Sequence, residues 1–205
     1  MRQKIVAVGD VHGQIDLLEA VVNSFRNTNT ELIFLGDLID RAKERFGDRK
    51  VVTLLMKMMK RPEKYGYSKV TVLRGNHEQM VIDAYRRKDF DLWQANGGSA
   101  SFKDLVMSHP EIIDWMDKLP LYTIRGEYLF VHAGVRPGVP IKEQSKSDLL
   151  WIREPFLDEP HMLPYTIVHG HTYVNSEHAV FGKDRISIDT GACFTGHLCA
   201  LPLSY

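Results

Sequence analysis

The sequence predicts an α/β fold, because its first half alternates short apolar runs with amphipathic segments and its second half is rich in strand patterns. Residues 4–8, 31–35 and 69–73 are short runs rich in Ile, Val, Leu and Phe, which are typical of buried strands. Residues 15–25 and 51–59 lie between them and place apolar side chains at helical spacing. This alternation predicts a parallel sheet covered by helices.

The remaining elements follow from spacing and from turn residues. Residues 77–88 favour a helix, and residues 89–119 favour further helices, interrupted at Asn96-Gly97-Gly98 and at His109-Pro110. We expect this second stretch to be a helical insertion over one edge of the sheet. Strand patterns then recur at residues 121–124, 128–132, 165–168, 179–181, 185–188 and 198–203, so this half is expected to be partly antiparallel. We expect residues 1–205 to form a single domain.

Composition excludes several classes of protein. The 205 residues include 26 Lys and Arg, 26 Asp and Glu, and 44% hydrophobic residues, which is typical of globular chains and argues against disordered, fibrous or membrane-spanning ones. A formal net charge of zero provides no broad basic surface, so long nucleic acid is not an expected partner. Two cysteines, Cys193 and Cys199, cannot form a disulfide framework, and we expect a cytoplasmic protein.

Side chains able to bind metal ions follow five of the predicted strands. Asp10 and His12 follow the first strand, Asp37 the second and Asn76 the third, while His132 and His171 follow later strands. Strand ends in an open α/β sheet converge on one edge, where ligands bind. We therefore expect these side chains to meet in one cleft.

The chemistry of this set predicts a two-metal centre. Carboxylate, imidazole and amide ligands without thiolates suit Mn²⁺, Fe²⁺ or Zn²⁺. Six candidate ligands exceed the needs of one catalytic ion. Two ions that share a bridging carboxylate can activate water for attack on phosphorus.

The candidate ligands lie in five sequence blocks: Gly9-Asp10-Val11-His12-Gly13, residues 36–41, Gly75-Asn76-His77-Glu78, His132-Ala133-Gly134 and Gly170-His171. In this order the blocks together resemble the calcineurin-like metallophosphoesterases, and within them the phosphoprotein phosphatase (PPP) family with its bacterial and bacteriophage lambda-type serine/threonine phosphatases. The resemblance extends from about residue 5 to about residue 201 and implies mixed β-sheets in a central β-sandwich flanked by helices. It also implies a bacterial cell as the location, or the host cytoplasm if the protein is phage-encoded.

The resemblance also implies roles for individual residues. Asp10, His12 and Asp37 would hold the first ion, and Asp37, Asn76, His132 and His171 the second, with Asp37 as the bridge. His77 resembles the general acid and Asp40 its orienting partner. Arg41 and Arg153 resemble the arginines that clamp phosphate. His169 stands where the family usually has an apolar residue; the Gly-His-Thr match favours His171 as the ligand.

The implied activity is that of a metal-dependent phosphomonoesterase, specifically a protein serine/threonine phosphatase, in which a hydroxide bridging two divalent ions attacks phosphorus directly. Mn²⁺ is the expected metal, with Fe²⁺, Zn²⁺ or Ni²⁺ as alternatives, and the substrate is a phosphorylated protein or small molecule. One alternative is hydrolysis of phosphoanhydrides in dinucleoside polyphosphates, such as diadenosine tetraphosphate, or at RNA 5′ ends. A second is an inactive module that binds a phosphorylated ligand. We expect residues 89–119 and 136–147 to shape the substrate entrance.

Overall fold

The computed structural model describes residues 3–205, apart from the side chains of Ser99 and Lys103. Short 3₁₀ segments at Pro62–Tyr65, Gly98–Ala100 and Ile141–Glu143 and a π-helical segment at Phe102–Ser108 accompany the regular elements. In chain order these are β1 (Lys4–Val8), α1 (Ile15–Ser24), β2 (Thr30–Phe34), α2 (Gly47–Lys60), β3 (Lys69–Val72), α3 (Asn76–Arg87), α4 (Asp91–Ala95), α5 (Pro110–Met116), β4 (Tyr122–Arg125), β5 (Tyr128–Val131), α6 (Lys146–Trp151), β6 (Thr166–His169), β7 (Val180–Phe181), β8 (Arg185–Ser187), α7 (Ala192–Thr195) and β9 (Ala200–Ser204).

The strands form two mixed sheets. The first has the order β3-β2-β1-β9, in which β1, β2 and β3 are parallel and β9 runs antiparallel to β1. The second has the order β4-β5-β6-β8-β7, with parallel pairs at its centre and antiparallel strands at both edges. The predicted α/β class is therefore confirmed, including the parallel first half and the partly antiparallel second half.

The sheets face each other across an apolar core, and helices cover the first sheet, so the central strands are largely buried on both faces. Along β1, Ile5 and Ala7 pack toward the second sheet, whereas Val6 and Val8 pack toward the helices. The second sheet contributes Phe130 and Val168 to the shared core. Successive side chains of a strand point to opposite faces, so an unbroken apolar run fits a strand covered on both sides.

One buried ion pair links the two sheets. Glu31 of β2 accepts hydrogen bonds from Nε and Nη2 of Arg125, at the end of β4, at 2.8 and 2.7 Å. The hydroxyl of Thr71 on β3 donates to the same carboxylate at 2.8 Å. Burial raises the pKa of Glu31, but the hydrogen bonds from Arg125 and Thr71 lower it by more, so the pKa lies below its usual value.

The predicted helical insertion at residues 89–119 is present and is interrupted where the sequence predicts. Gly97 has a φ of 113°, a conformation open to glycine, and it ends the α4 segment. The helix α5 begins at Pro110, whose fixed φ and missing N–H suit the first helical position. No helix within residues 3–205 has the length and apolar character needed to cross a membrane.

Two features of the fold were not part of the sequence prediction. The helix α6 begins at the end of residues 136–147, the segment expected to shape the substrate entrance, and there the Ser145 hydroxyl accepts a hydrogen bond from the backbone N–H of Asp148 at 2.9 Å. The last strand, β9, leaves the second half of the chain and joins β1 in the first sheet. Its register with β1 is a long-range contact that strand patterns alone do not specify.

Candidate metal centre

The structure brings all six predicted metal ligands together at the ends of five strands. The carboxylate of Asp10 accepts a hydrogen bond from the backbone N–H of His171, 161 residues away, with its two oxygens at 3.1 and 3.3 Å. Asn76 Oδ1 lies 2.7 Å from His132 Nε2 and 2.9 Å from His171 Nδ1. His12 lies beside the same cluster, next to the carboxylate of Asp37. The convergence expected from strand order is therefore present.

Asp37 lies between two groups of histidines. Its Oδ2 is 3.6 Å from His12 Nε2, and its Oδ1 is 3.4 Å from His132 Nε2. Two sets of candidate ligand atoms lie within 4.8 Å of one another: His12, Asp37 and His77, and Asp37, His132 and His171. The first set contains His77 in place of the predicted Asp10. Asp37 belongs to both sets, which is the placement that a bridging carboxylate requires.

Several of these residues occupy an unfavourable backbone conformation. The φ angle is 45° at His12, 49° at Asp37, 70° at Asp40, 61° at Arg41 and 63° at His171. Positive φ is uncommon outside glycine, and such strain persists only where the surrounding structure enforces it. Strained residues cluster at functional sites, so their concentration here supports the assignment of this region as the site.

Glu78 holds two of the loops that form the centre. Its Oε2 accepts hydrogen bonds from the backbone N–H groups of Asp37 and Gly75 at 2.9 and 2.8 Å. Its Oε1 accepts one from Leu38 at 2.8 Å. We did not single out Glu78 from the sequence as a functional residue, although an acidic residue three positions after the N-cap Gly75 is the signal of a capping box.

The imidazoles of the centre are in the form that binds metal ions. Burial lowers the pKa of His12 to about 3 and that of His171 to about 3, and it also lowers the pKa of His132. Burial raises the pKa of Asp37, but the neighbouring histidines His132, His77 and His12 together lower it by more. The pKa therefore lies below its usual value, and this carboxylate is ionised. Metal ions bind neutral imidazole and ionised carboxylate.

Hydrogen bonds to the backbone orient two of these rings. His12 Nδ1 lies 2.8 Å from the carbonyl oxygen of Ile39, and His132 Nδ1 lies 3.0 Å from that of Leu35. This pattern directs both Nε2 atoms toward Asp37 and is typical of metal-binding histidines. Among the described residues, His171 Nε2 is a buried atom without a hydrogen-bond partner. The donor atoms present therefore fit divalent cations.

A buried His77–Asp40 pair lies beside the cluster. His77 Nδ1 is 2.6 Å from Asp40 Oδ2, and both side chains are at most 4% exposed. Burial lowers the pKa of His77, but Asp37 and Asp40 raise it more, so the pKa lies above its ordinary value. The pair is therefore arranged to hold a proton on the imidazole.

The two predicted arginines occupy different positions. Arg41 Nη1 donates to His12 Nε2 at 2.8 Å, and its Nη2 lies 3.1 Å from His77 Nε2, so this guanidinium lies against the centre. Arg153 is exposed just after α6, and its charge adds to the effects of burial and of His132 that lower the pKa of His171. Both cations lie near the predicted ligands.

His169 lies outside the ligand cluster. Its Nε2 is 2.8 Å from the hydroxyl of Ser187 on β8, and its ring packs edge-on against Phe156. Burial lowers its pKa to about 4, so the ring is neutral. The choice of His171 over His169 as the candidate ligand therefore agrees with the geometry.

Asp189 and Trp93 also lie at the centre, and we did not predict either from the sequence. Asp189 accepts a hydrogen bond from the backbone N–H of Gly191 at 2.9 Å, and burial, with a contribution from Asp37, raises its pKa to about 6. Trp93 of α4 donates its indole N–H to Asp40. The carboxylate of Asp189 follows β8, so the strand-end argument could have found it, whereas Trp93 lies in a helix predicted only as an insertion.

Comparisons with known proteins show the family and independently support the fold. Residues 3–200 match the calcineurin-like phosphoesterase family. The chain is 27% identical over 215 residues to serine/threonine-protein phosphatase 2 of Escherichia coli (strain K12), a match covering 95% of this chain and 90% of that protein. It is 28% identical to serine/threonine-protein phosphatase 1 of Salmonella typhimurium, covering 93% of this chain and 88% of that protein.

Solved structures of low sequence identity share the fold. A putative diadenosine tetraphosphatase superposes with a TM-score of 0.67 at 20% identity, covering 98% of this chain and 93% of that one. A protein serine/threonine phosphatase from Saccharomyces cerevisiae similar to human PP5 gives a TM-score of 0.66 at 16% identity, covering 99% and 80%. Two mixed sheets flanked by helices are common to this chain and the family. The chain belongs to the calcineurin-like phosphoesterases and is thus a metal-dependent hydrolase of phosphoric esters.

Proposed function

We propose that this chain is a protein serine/threonine phosphatase that acts with Mn²⁺. The observation that supports it best is the position of Asp37, whose two carboxylate oxygens face different histidines beside the His77–Asp40 pair. This arrangement provides sites for two cations and a proton donor within one cleft. The free thiols of Cys193 and Cys199 support action in a reducing cytoplasm.

Six side chains would hold the metal ions. Asp10, His12 and Asp37 form the first proposed set, and Asp37, Asn76, His132 and His171 form the second. When bound, two divalent ions would neutralise charge on the phosphoryl oxygens and lower the pKa of water, which provides a nucleophile at neutral pH. Mixed oxygen and nitrogen ligands without thiolates suit Mn²⁺, and they also suit Fe²⁺, Zn²⁺ and Ni²⁺.

His77 is the proposed proton donor for the leaving oxygen. Asp40 holds its Nδ1, so Nε2, which lies 3.1 Å from Arg41 Nη2, is the ring nitrogen on the side of the cleft. A protonated imidazole at this position would donate its Nε2 proton as the bond from phosphorus to oxygen breaks. The serine or threonine alkoxide is a poor leaving group, so protonation matters most for such esters.

Arg41 and Arg153 are the proposed phosphate ligands. The guanidinium of Arg41 reaches His12 and His77 and is therefore within the cleft. Arg153 is exposed, and its charge acts on His171, a member of the second proposed ligand set. Planar guanidinium groups form paired hydrogen bonds to phosphoryl oxygens, which stabilises the charge that develops during transfer.

The names of the relatives support the proposed substrate class. The two bacterial proteins matched over 93–95% of this chain are both named serine/threonine-protein phosphatases. Their matches also cover 88–90% of their own length. We therefore propose phosphoserine and phosphothreonine in proteins as the substrates.

Metal add-back tests this proposal. The metal-stripped protein is supplied singly with Mn²⁺, Mg²⁺, Ni²⁺ or Zn²⁺, and hydrolysis of p-nitrophenyl phosphate, a phosphoserine peptide and diadenosine tetraphosphate is measured. We expect Mn²⁺ to restore turnover of the first two, and Asp37→Asn to abolish it, while Asp16→Asn on the exposed face of α1 serves as the control. Turnover of diadenosine tetraphosphate alone would indicate an anhydride hydrolase instead. Peptide binding without turnover under any metal would indicate a binding module.

A further inference from the structure

The helical insertion reaches the proposed proton donor through one buried side chain. Trp93, on α4, is fully buried, and its indole N–H donates to Asp40 Oδ1 and Oδ2 at 3.0 and 2.9 Å. The same Oδ2 lies 2.6 Å from His77 Nδ1. Trp93, Asp40 and His77 thus form a continuous hydrogen-bonded chain from the insertion to the cleft.

The surroundings of Trp93 hold its ring in one place. The rings of Phe90 and Phe102 lie 6.5 and 6.4 Å from it, centroid to centroid. A methyl group on Gly98 would lie 2.2 Å from the indole, so only glycine permits this contact. Packing against aromatic rings and a bare backbone leaves the indole little freedom to rotate.

The turn after α4 also contacts the other side of the pair. A Cβ on Gly97 would lie 3.2 Å from Arg41 Cγ and 3.4 Å from Asp40 Cβ. The Gly97-Gly98 turn therefore packs against the indole on one side and against the side chains of Asp40 and Arg41 on the other. The insertion encloses Asp40 from two directions.

We propose that Trp93 is a positioning residue that holds the carboxylate of Asp40, and through it the ring of His77, in the orientation needed for proton transfer. Asp40 is fully buried, so its oxygens must find donors within the protein. His77 supplies a donor to Oδ2 only, and the indole N–H spans both oxygens, which defines the rotation of the carboxylate. The insertion is thus part of the catalytic apparatus, in addition to any role at the substrate entrance.

This inference rests on the proposed role of His77 as the acid, and kinetics test it. Trp93→Phe retains an aromatic ring and removes the N–H; Trp115→Phe, on α5 of the same insertion, is the matched control. We expect Trp93→Phe to lower kcat for a phosphoserine peptide about 10-fold or more, in line with partners that orient catalytic groups. For p-nitrophenyl phosphate, whose leaving group needs little protonation, we expect less than a 3-fold loss, and KM for both substrates should stay unchanged.

A double-mutant cycle separates positioning from general support of the fold. If Trp93 acts through Asp40, Trp93→Phe has no further effect on kcat in the Asp40→Asn background. Equal losses for both substrates, or additive losses in the double variant, would overturn the inference. An unchanged kcat for the phosphoserine peptide in a folded Trp93→Phe variant would do the same.

Nuclear magnetic resonance of the metal-free protein tests the hydrogen bonds from Trp93 to Asp40 and from Asp40 to His77 without measuring turnover. We expect the indole N–H signal of Trp93 to move upfield in Asp40→Asn, and the ring signals of His77 to shift in Trp93→Phe but not in Trp115→Phe. Absence of both shifts would refute the inference even if the enzyme is active. If Trp93→Phe does not fold, the indole N–H signal of Trp93 in Asp40→Asn alone decides whether the inference stands. A wild-type protein without phosphatase activity would count against the proposed function only.

Discussion

Glu78 holds the backbone of Asp37, 41 residues away, through a hydrogen bond of 2.9 Å from the Asp37 N–H to its Oε2. The side chain of Glu78 is completely buried, and its other oxygen binds the N–H of Leu38. The strained φ of 49° at Asp37 therefore persists within a set of hydrogen bonds to a buried carboxyl group. The central residue of the proposed metal site depends on a carboxylate that is not itself a proposed ligand.

Replacing Glu78 with Gln should weaken both stability and metal binding. The amide presents one oxygen to three backbone donors, so we expect a loss of about 1–3 kcal/mol in the free energy of unfolding. Displacement of Asp37 should also weaken Mn²⁺ binding about 10–100-fold. Urea denaturation and calorimetric titration measure these effects. Glu63→Gln, at an exposed carboxylate, is the control; equal behaviour of the two variants would contradict this role for Glu78.

Replacing His77 with Asn should affect esters according to their leaving group. Removal of a general acid lowers rates about 10²–10⁴-fold where protonation is needed. We expect a loss of this size for a phosphoserine peptide and a much smaller one for p-nitrophenyl phosphate, with Mn²⁺ affinity retained. His178→Asn, at an exposed histidine, should change neither rate. A uniform loss across leaving groups would exclude His77 as the acid.

Replacing Gly170 with Ala should disturb the metal centre by steric contact. A Cβ at this position would lie 2.1 Å from Asp10 Oδ1, so the carboxylate or the loop must move. We expect reduced Mn²⁺ affinity and reduced turnover, measured by titration and by p-nitrophenyl phosphate hydrolysis. Gly182→Ala, where the nearest atoms belong to Arg185 at 3.3 Å, should retain both. Wild-type affinity in Gly170→Ala would argue against Asp10 as a ligand.

The pair of Glu31 and Arg125 should make stability depend on pH. Because the folded-state pKa of Glu31 is depressed, its contribution is present above the unfolded pKa and is lost as the pH falls through the folded pKa. We expect Glu31→Gln to lower the free energy of unfolding by about 2 kcal/mol at neutral pH. The loss should become progressively smaller as the pH falls below the usual pKa range of glutamate. Midpoints of urea denaturation, measured for both proteins from neutral pH into this acidic range, test the pH dependence of stability.

A control variant separates the buried pair from the surface charge beside it. Lys69 lies 3.5 Å from Glu31 but is 55% exposed, so Lys69→Met should cost less than about 1 kcal/mol at any pH. An Arg125→Met variant should share the pH dependence of Glu31→Gln. A pH-independent difference between Glu31→Gln and the wild type would contradict the assignment.

Local sequence patterns were sufficient to predict most of the helices and strands. The first strand matches its predicted bounds, residues 4–8, and the breaks at Gly97 and Pro110 lie where the sequence places them. These features depend on side-chain alternation and on the conformational limits of glycine and proline, which neighbours in the chain determine. The six candidate ligands were also predictable, because each follows a strand in a recognisable block.

Contacts over long sequence separations could not be predicted in this way. Pairing of β9 with β1 joins the two ends of the chain, and no local pattern specifies such a partner. Glu78 was not singled out from the sequence, and only the folded chain shows that its carboxylate reaches Asp37 and Leu38.

The sequence by itself determined the α/β class, the strand ends that bear metal-binding side chains and the family to which those blocks belong. Only the tertiary structure decided that Asp37 turns its two oxygens toward different histidines and that Trp93 reaches Asp40 across 53 residues. The physical reason is that residue type and local spacing dictate which groups a strand or helix can present. The direction of a buried hydrogen bond depends on packing between elements that are distant in the chain.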